Sequence, residues 1–186
     1  GSTTAKVTDT SYTTAQLKAI NDKVGGAITL DNTNVDLVGS ADNLVSALAG
    51  TFTAAHTGEV KITGTYDVTK LVSINAGTSG ALHLDTRNVA LTGTAANVKS
   101  ALAGNFTSNE THTGVVTISD NGTTVNATDI TAIETAKGSG NINITNAVTL
   151  SGTGAKLQSA ATALDTIHGS TTAKVTDTSY TTAQLK

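Results

Sequence analysis

LVGSADNLVSALAG (Leu37–Gly50) returns as LTGTAANVKSALAG (Leu91–Gly104) and, more loosely, as LSGTGAKLQSAATA (Leu150–Ala163). In each copy a short apolar run meets a hydroxyl residue, and an amphipathic stretch follows. Ser40, Thr94 and Thr153 stand where a side-chain oxygen accepts from the orphan N–H groups of a helix start. Gly50 and Gly104 stand where a helix stops. Each copy therefore predicts a strand end followed by a helix.

A second pattern alternates with the first: SYTTAQLKAI (Ser11–Ile20), TYDVTKLVSI (Thr65–Ile74) and TVNATDITAI (Thr124–Ile133). Its caps are Thr13, Asp67 and Asn126. Tyr12, Tyr66 and Val125 precede them, and Leu17, Leu71 and Ile130 fall one helical turn beyond, the spacing of a hydrophobic staple. Thr13 with Gln16 also fits a capping box. The caps Thr13, Ser40, Asp67, Thr94, Asn126, Thr153 and Thr181 are almost evenly spaced, with one longer step between Thr94 and Asn126. That step holds an insertion: NFTSNETHTG stands for TFTAAHTG, and VTISDNGTTVN for VKITGTYD. GSTTAKVTDTSYTTAQLK opens the chain at Gly1–Lys18 and returns unchanged at Gly169–Lys186. One full period thus runs from Gly1 to His168, and identical half-units stand at positions 1–18 and 169–186.

Between the helices lie short β-branched runs: AITL at Ala27, VDLV at Val35, VKIT at Val60, ALHL at Ala81, VALT at Val89, VTIS at Val116, NINI at Asn141 and VTLS at Val148. Polar corners such as DNTN and DTRN separate them. The fold expected is α/β, a repeat αβ-solenoid over positions 1–186. It would hold six helix–strand–corner–strand units of ~27 residues, paired into ~54–59, with parallel strands meeting their equivalents in the next unit. Parallel strands stack at ~4.8 Å while helices pack at about 8–10 Å, so the helices are expected on alternating sides. The expected core is Leu17, Ile20, Leu44, Leu48, Leu71, Ile74, Val98, Leu102, Ile130, Ile133, Leu157 and Leu164. Ala47, Ala101 and Ala160 allow helices to approach closely.

Composition narrows the function. The 186 residues include no Pro, Cys, Met or Trp, only two Phe and three Tyr, and threonine makes up roughly a fifth. Without cysteine there are no disulfides, thiolate zinc sites or cysteine nucleophiles. A net charge of −3 with 13% charged residues leaves no basic footprint for nucleic acid. No apolar run approaches the ~20 residues that span a bilayer, and no signal segment is visible. No nucleophile elbow, zinc-helix or phosphate-loop motif is present, so the chain reads as non-enzymatic, with no cofactor.

SYTTAQLKAI…GAITL and LTGTAANVKSALAGNFT resemble the tandem repeats of giant cyanobacterial cell-surface proteins, including the swimming-associated type of marine Synechococcus. The clean identical ends resemble an engineered αβ-solenoid built from such repeats. The resemblance covers nearly the whole chain and implies a structural role in surface arrays or self-assembling fibres. It also implies an extracellular or cell-surface parent, and it carries over no catalytic residue. The insertion before Asn126 and the polar NINITN (Asn141–Asn146) depart from the pattern.

His56, His112 and His168 precede glycine in loops that read as equivalent, and are expected to be structural rather than metal ligands. Asp31 and Asp85 recur at one corner, where the third copy has Thr145, so a turn is expected rather than a calcium site. The leading functional expectation is end-to-end self-assembly into oligomers or fibres, because identical half-units stand at both ends and open strand edges template pairing. The alternative is an adhesin module binding glycan or a cell surface through the loop Thr107–Thr113 and the insertion Asp120–Thr124. Ice binding by strand threonines (Thr29, Thr63, Thr92, Thr117, Thr149) ranks below both, since these do not form TxT pairs in every unit.

Overall fold

The computed structural model describes residues 3–107 and 111–178. It is α/β, with six helices among the described residues and every strand pair parallel. The chain divides into two compact units, Gly1–Arg87 with Ala103–Thr111, and Asn88–Leu102 with His112–Lys186. The helix expected from the second copy of the opening phrase falls in 179–186, outside the described residues.

The first unit runs β1 (Ala5–Val7), α1 (Thr14–Asn21), β2 (Ile28–Leu30), β3 (Leu37–Ser40), α2 (Ala41–Leu48), β4 (Val60–Thr63), α3 (Val68–Gly77) and β5 (Leu82–Leu84). Its sheets are β1-β2 and β3-β4-β5, extended by single bridges from Phe52 to Ile28 and from Phe106 to Leu82. The second unit runs β6 (Leu91–Gly93), α4 (Ala95–Leu102), β7 (Val116–Ile118), β8 (Thr124–Asn126), α5 (Ala127–Ala136), β9 (Ile142–Ile144), β10 (Thr149–Gly152), α6 (Gly154–Ala163), β11 (Thr166–Ile167) and β12 (Thr172–Val175). Its sheets are β6-β7-β9-β11 and β8-β10-β12.

The helix starts follow local chemistry. Thr13 makes the full capping box with Gln16. Ser40, Asp67 and Thr153 accept from the backbone N–H of Asn43, Lys70 and Lys156. Thr94 Oγ1 accepts from Asn97 N at 3.3 Å. Asn126 corrects the expectation, for it stands at the cap of α5 but makes no side-chain cap bond. It is also the last residue of β8, held opposite Ser151. Its ψ is 129°, whereas Thr13, Ser40, Asp67 and Thr153 have ψ between 154° and 174°. Asp67→Ala should therefore cost about 1 kcal/mol, while Asn126→Ala should stay within about 0.5 kcal/mol. Denaturant titration of the two variants checks this contrast.

Strands alternate inward and outward. Ile28 and Leu30, Leu82 and Leu84, Val116 and Ile118, and Ile142 and Ile144 are all buried. The polar NINI stretch keeps this register, because Ile142 and Ile144 fall on the inward parity and Asn143 on the other. Of the core residues, Leu17, Leu44, Leu48, Leu71, Ile74, Val98, Leu102, Ile130, Ile133, Leu157 and Leu164 are buried, as are Ala47, Ala101 and Ala160. Ile20 is half-buried. Its helix α1 has one packed helix neighbour, α2, among the described residues, whereas α2 lies between α1 and α3.

Two expectations are corrected. In the first unit α1 packs on α2 and α2 on α3; in the second, α4 packs on α5 and α5 on α6. Alternating sides would have paired every second helix instead. Strands meet their equivalents only in part: β3 and β4, which precede α2 and α3, pair with each other, as do β8 and β10, which precede α5 and α6, but other pairings differ. The VKIT strand β4 lies between the LVGS strand β3 and the LHL strand β5, and β7 lies likewise between β6 and β9.

Two different periods run through the chain. Leu37 pairs with Val60 and Val60 with Leu82, whereas α2 and α3 begin at Ala41 and Val68. In the second unit Leu91 pairs with Val116 and Val116 with Ile142, whereas α4 and α5 begin at Ala95 and Ala127. In both units the step between ladder partners is shorter than the step between helix starts. Each turn therefore slides the chain along the ladder, and a sheet ends after two to four strands.

Candidate functional site

Buried titratable groups come first. His56 and His112 are fully buried. Each imidazole Nε2 lies 2.7 Å from a backbone oxygen, Val35 O and Val89 O respectively. A carbonyl only accepts, so each Nε2 carries its proton and donates. His56 Nδ1 lies 2.9 Å from Thr78 Oγ1, and His56 O accepts from Ser79 N. Burial lowers both imidazole pKa values. The Val35 bond and Asp36 oppose this at His56; at His112 the Val89 bond opposes it and Lys137 adds to it. These rings clamp one loop to another. The structure brings His56 and His112 into matching positions but not His168. That ring is exposed and accepts from Ser170 N, because its loop is longer before the strand.

The recurrent corner aspartates are ion-paired across neighbouring strands, Lys6 to Asp31 at 3.1 Å and Lys61 to Asp85 at 3.0 Å. The third copy replaces the set together, with Thr117 and Thr145. Among the described residues no three His, Asp or Glu side chains converge as a metal ion would require. Thr124, Thr149 and Thr172 share one register across β8, β10 and β12. The row is a single position wide, since the next outward positions are Asn126, Ser151 and Lys174.

The insertion works inside the second unit. Asp120 Oδ2 accepts from Ala95 N at 2.7 Å and so caps α4 from the neighbouring rung. Gly122, at φ +64°, donates its N–H to Ala147 O, and Thr124 opens β8. Residues 108–110 of the loop Thr107–Thr113 lie outside the described residues.

The same cross-rung cap recurs at α6, where Asp177 Oδ2 accepts from Gly154 N at 2.6 Å. There β12 lies on β10 in the register Thr149↔Thr172 to Gly152↔Val175. Sequence reading missed both carboxylates. The available signal was an aspartate just past VTIS or KVT, but which helix it caps depends on which strand becomes the neighbour.

Compared with protein-family models, curated proteins and solved structures, the chain matches none. No helix among the described residues is long and apolar enough to cross a membrane.

Proposed function

We propose that this chain is a non-enzymatic structural repeat protein whose units form an αβ-solenoid and self-assemble end to end into oligomers or fibres. One observation carries the reading: a single pairing scheme recurs through both units. Leu37↔Val60, Leu91↔Val116 and Leu150↔Ala173 are the same partnership three times. An edge strand left without a polar cap templates another. Contacts between unlike ends do not close, so they propagate. The polar groups that first suggest chemistry, His56, His112, Asp31, Asp85 and Asp120, bond to other parts of the fold, which favours a scaffold over a reaction centre. By its resemblance to surface-protein repeats, the proposed setting is a cell-surface or extracellular array.

Sedimentation velocity across concentrations up to the millimolar range tests this. Species of increasing size should appear as the concentration rises. A single monomeric boundary throughout the series would refute the reading.

A further inference from the structure

We infer that copies of this chain join by exchange: residues 4–9 of one copy take the seat that residues 172–177 occupy on β10 and α6 of another. This rests on the self-assembly reading and names its joint. The two segments are identical, TAKVTD in both places. Whatever β10 and Gly154 bind in Thr172–Asp177, they meet identically in Thr4–Asp9 of a second copy.

The internal sheets show that the strand accepts partners on both edges at once. In β3-β4-β5 the middle strand has an LVGS-type neighbour on one side and an LHL-type neighbour on the other. Among the described residues β12 has only the first kind, β10, and β1 has only the second, β2. Seating β1 of a second copy on β10 completes the order β10-β1-β2, matching β3-β4-β5 rung for rung. Asp9, exposed in this chain, would then accept from Gly154 N as Asp177 does, and as Asp120 does from Ala95 N.

The helices agree with this joint. Among the described residues α6 has one packed helix neighbour, α5, and α1 has one, α2. In the interior, helices of these two types stack consecutively, α2 on α3 and α4 on α5. Ile20 of α1 is half-buried, whereas its equivalents Ile74 and Ile133 are fully buried. The α6 of a second copy would cover it.

Because the seat is the same, the segment already in the chain wins at low concentration. It acts at an effective concentration on the order of millimolar. A change that weakens only one of the two identical segments should therefore move the balance in a predictable direction.

The test is sedimentation of the full chain as wild type, Asp177→Ala, Asp9→Ala and the double variant, each confirmed folded by circular dichroism. Asp177→Ala removes the acceptor only from the resident segment and should move association to about tenfold lower concentration. Asp9→Ala removes it only from the incoming segment and should move association about tenfold higher. The double variant should return close to wild type. Oligomers that ignore both substitutions, or respond to both in the same direction, would overturn the joint while leaving self-assembly standing. Absence of association in every variant would overturn both.

A second measurement avoids any folding defect in Asp177→Ala. Thr149 faces Thr172 with the hydroxyl oxygens 3.1 Å apart, and Thr4 is the equivalent of Thr172. Mixing Thr4→Cys with Thr149→Cys under oxidation should yield a dimer holding one of each variant. A yield no greater than for either variant alone would refute the exchange.

Discussion

Gly80→Ala should lower the melting temperature by about 10 °C, the loss expected for roughly 3 kcal/mol in a chain of this size. A Cβ at Gly80 would fall on the carbonyl oxygen of Gly58, and it would lie 2.7 Å from that carbonyl carbon and 2.8 Å from Thr57 O. These are backbone atoms, so no rotamer change relieves the overlap. Nor can the loops separate freely. Ser79 N donates to His56 O, and Gly80 N donates to Thr78 Oγ1, whose hydroxyl faces His56 Nδ1. Moving Gly80 away breaks the bonds that seat the His56 loop. Gly25→Ala is the control, because nothing lies within 4 Å of a Cβ there. It should be neutral or slightly stabilising, by up to ~1 kcal/mol. Equal melting temperatures for the two variants in a circular-dichroism scan would contradict this account of the loop stack.

Acid should destabilise the protein through His56 and His112. Burial is the main reason both imidazoles sit below the usual histidine value of 6.5. Below that value the unfolded chain takes up protons that the folded one resists. The contribution to stability is therefore complete above pH ~6.5 and falls as the pH drops toward the lowered folded values. Each histidine adds its own proton to the difference between the two states, so the pair steepens the loss as the pH falls below the usual histidine value. Protonation also disrupts the clamp, since the neutral ring donates from Nε2 to Val35 or Val89 and keeps Nδ1 as an acceptor. Chemical denaturation between pH 7.5 and 5 measures the slope. The double variant His56→Gln, His112→Gln should be less stable at pH 7.5 but lose much less on acidification. An equally steep loss in that variant would assign the acid response elsewhere.

Features that depend on near neighbours in sequence were readable. Thr13 and Gln16 sit within one helical turn and form their capping box whatever surrounds them. Leu44 and Leu48 share a helix face by the helical period, and Ile142 and Ile144 share a strand face by the strand alternation. That alternation is why NINI could change its polar residues and keep its core. Asn126 shows where this ends. Its position marks a cap, yet its ψ is 129° and its side chain makes no cap bond. His168 shows the same limit, since a longer loop turns a candidate clamp outward.

Helix starts, strand parity and the long period from Gly1 to His168 thus come from local chemistry, repeated along the chain. The side on which the helices stack, the partners each strand takes, and the use of Asp120 and Asp177 as caps from a neighbouring rung were decided only in three dimensions. Ladder steps such as Leu37↔Val60 are shorter than helix steps such as Ala41 to Val68. Which partner a strand or helix finds at each step depends on contacts between packed elements, and no short stretch of sequence contains it.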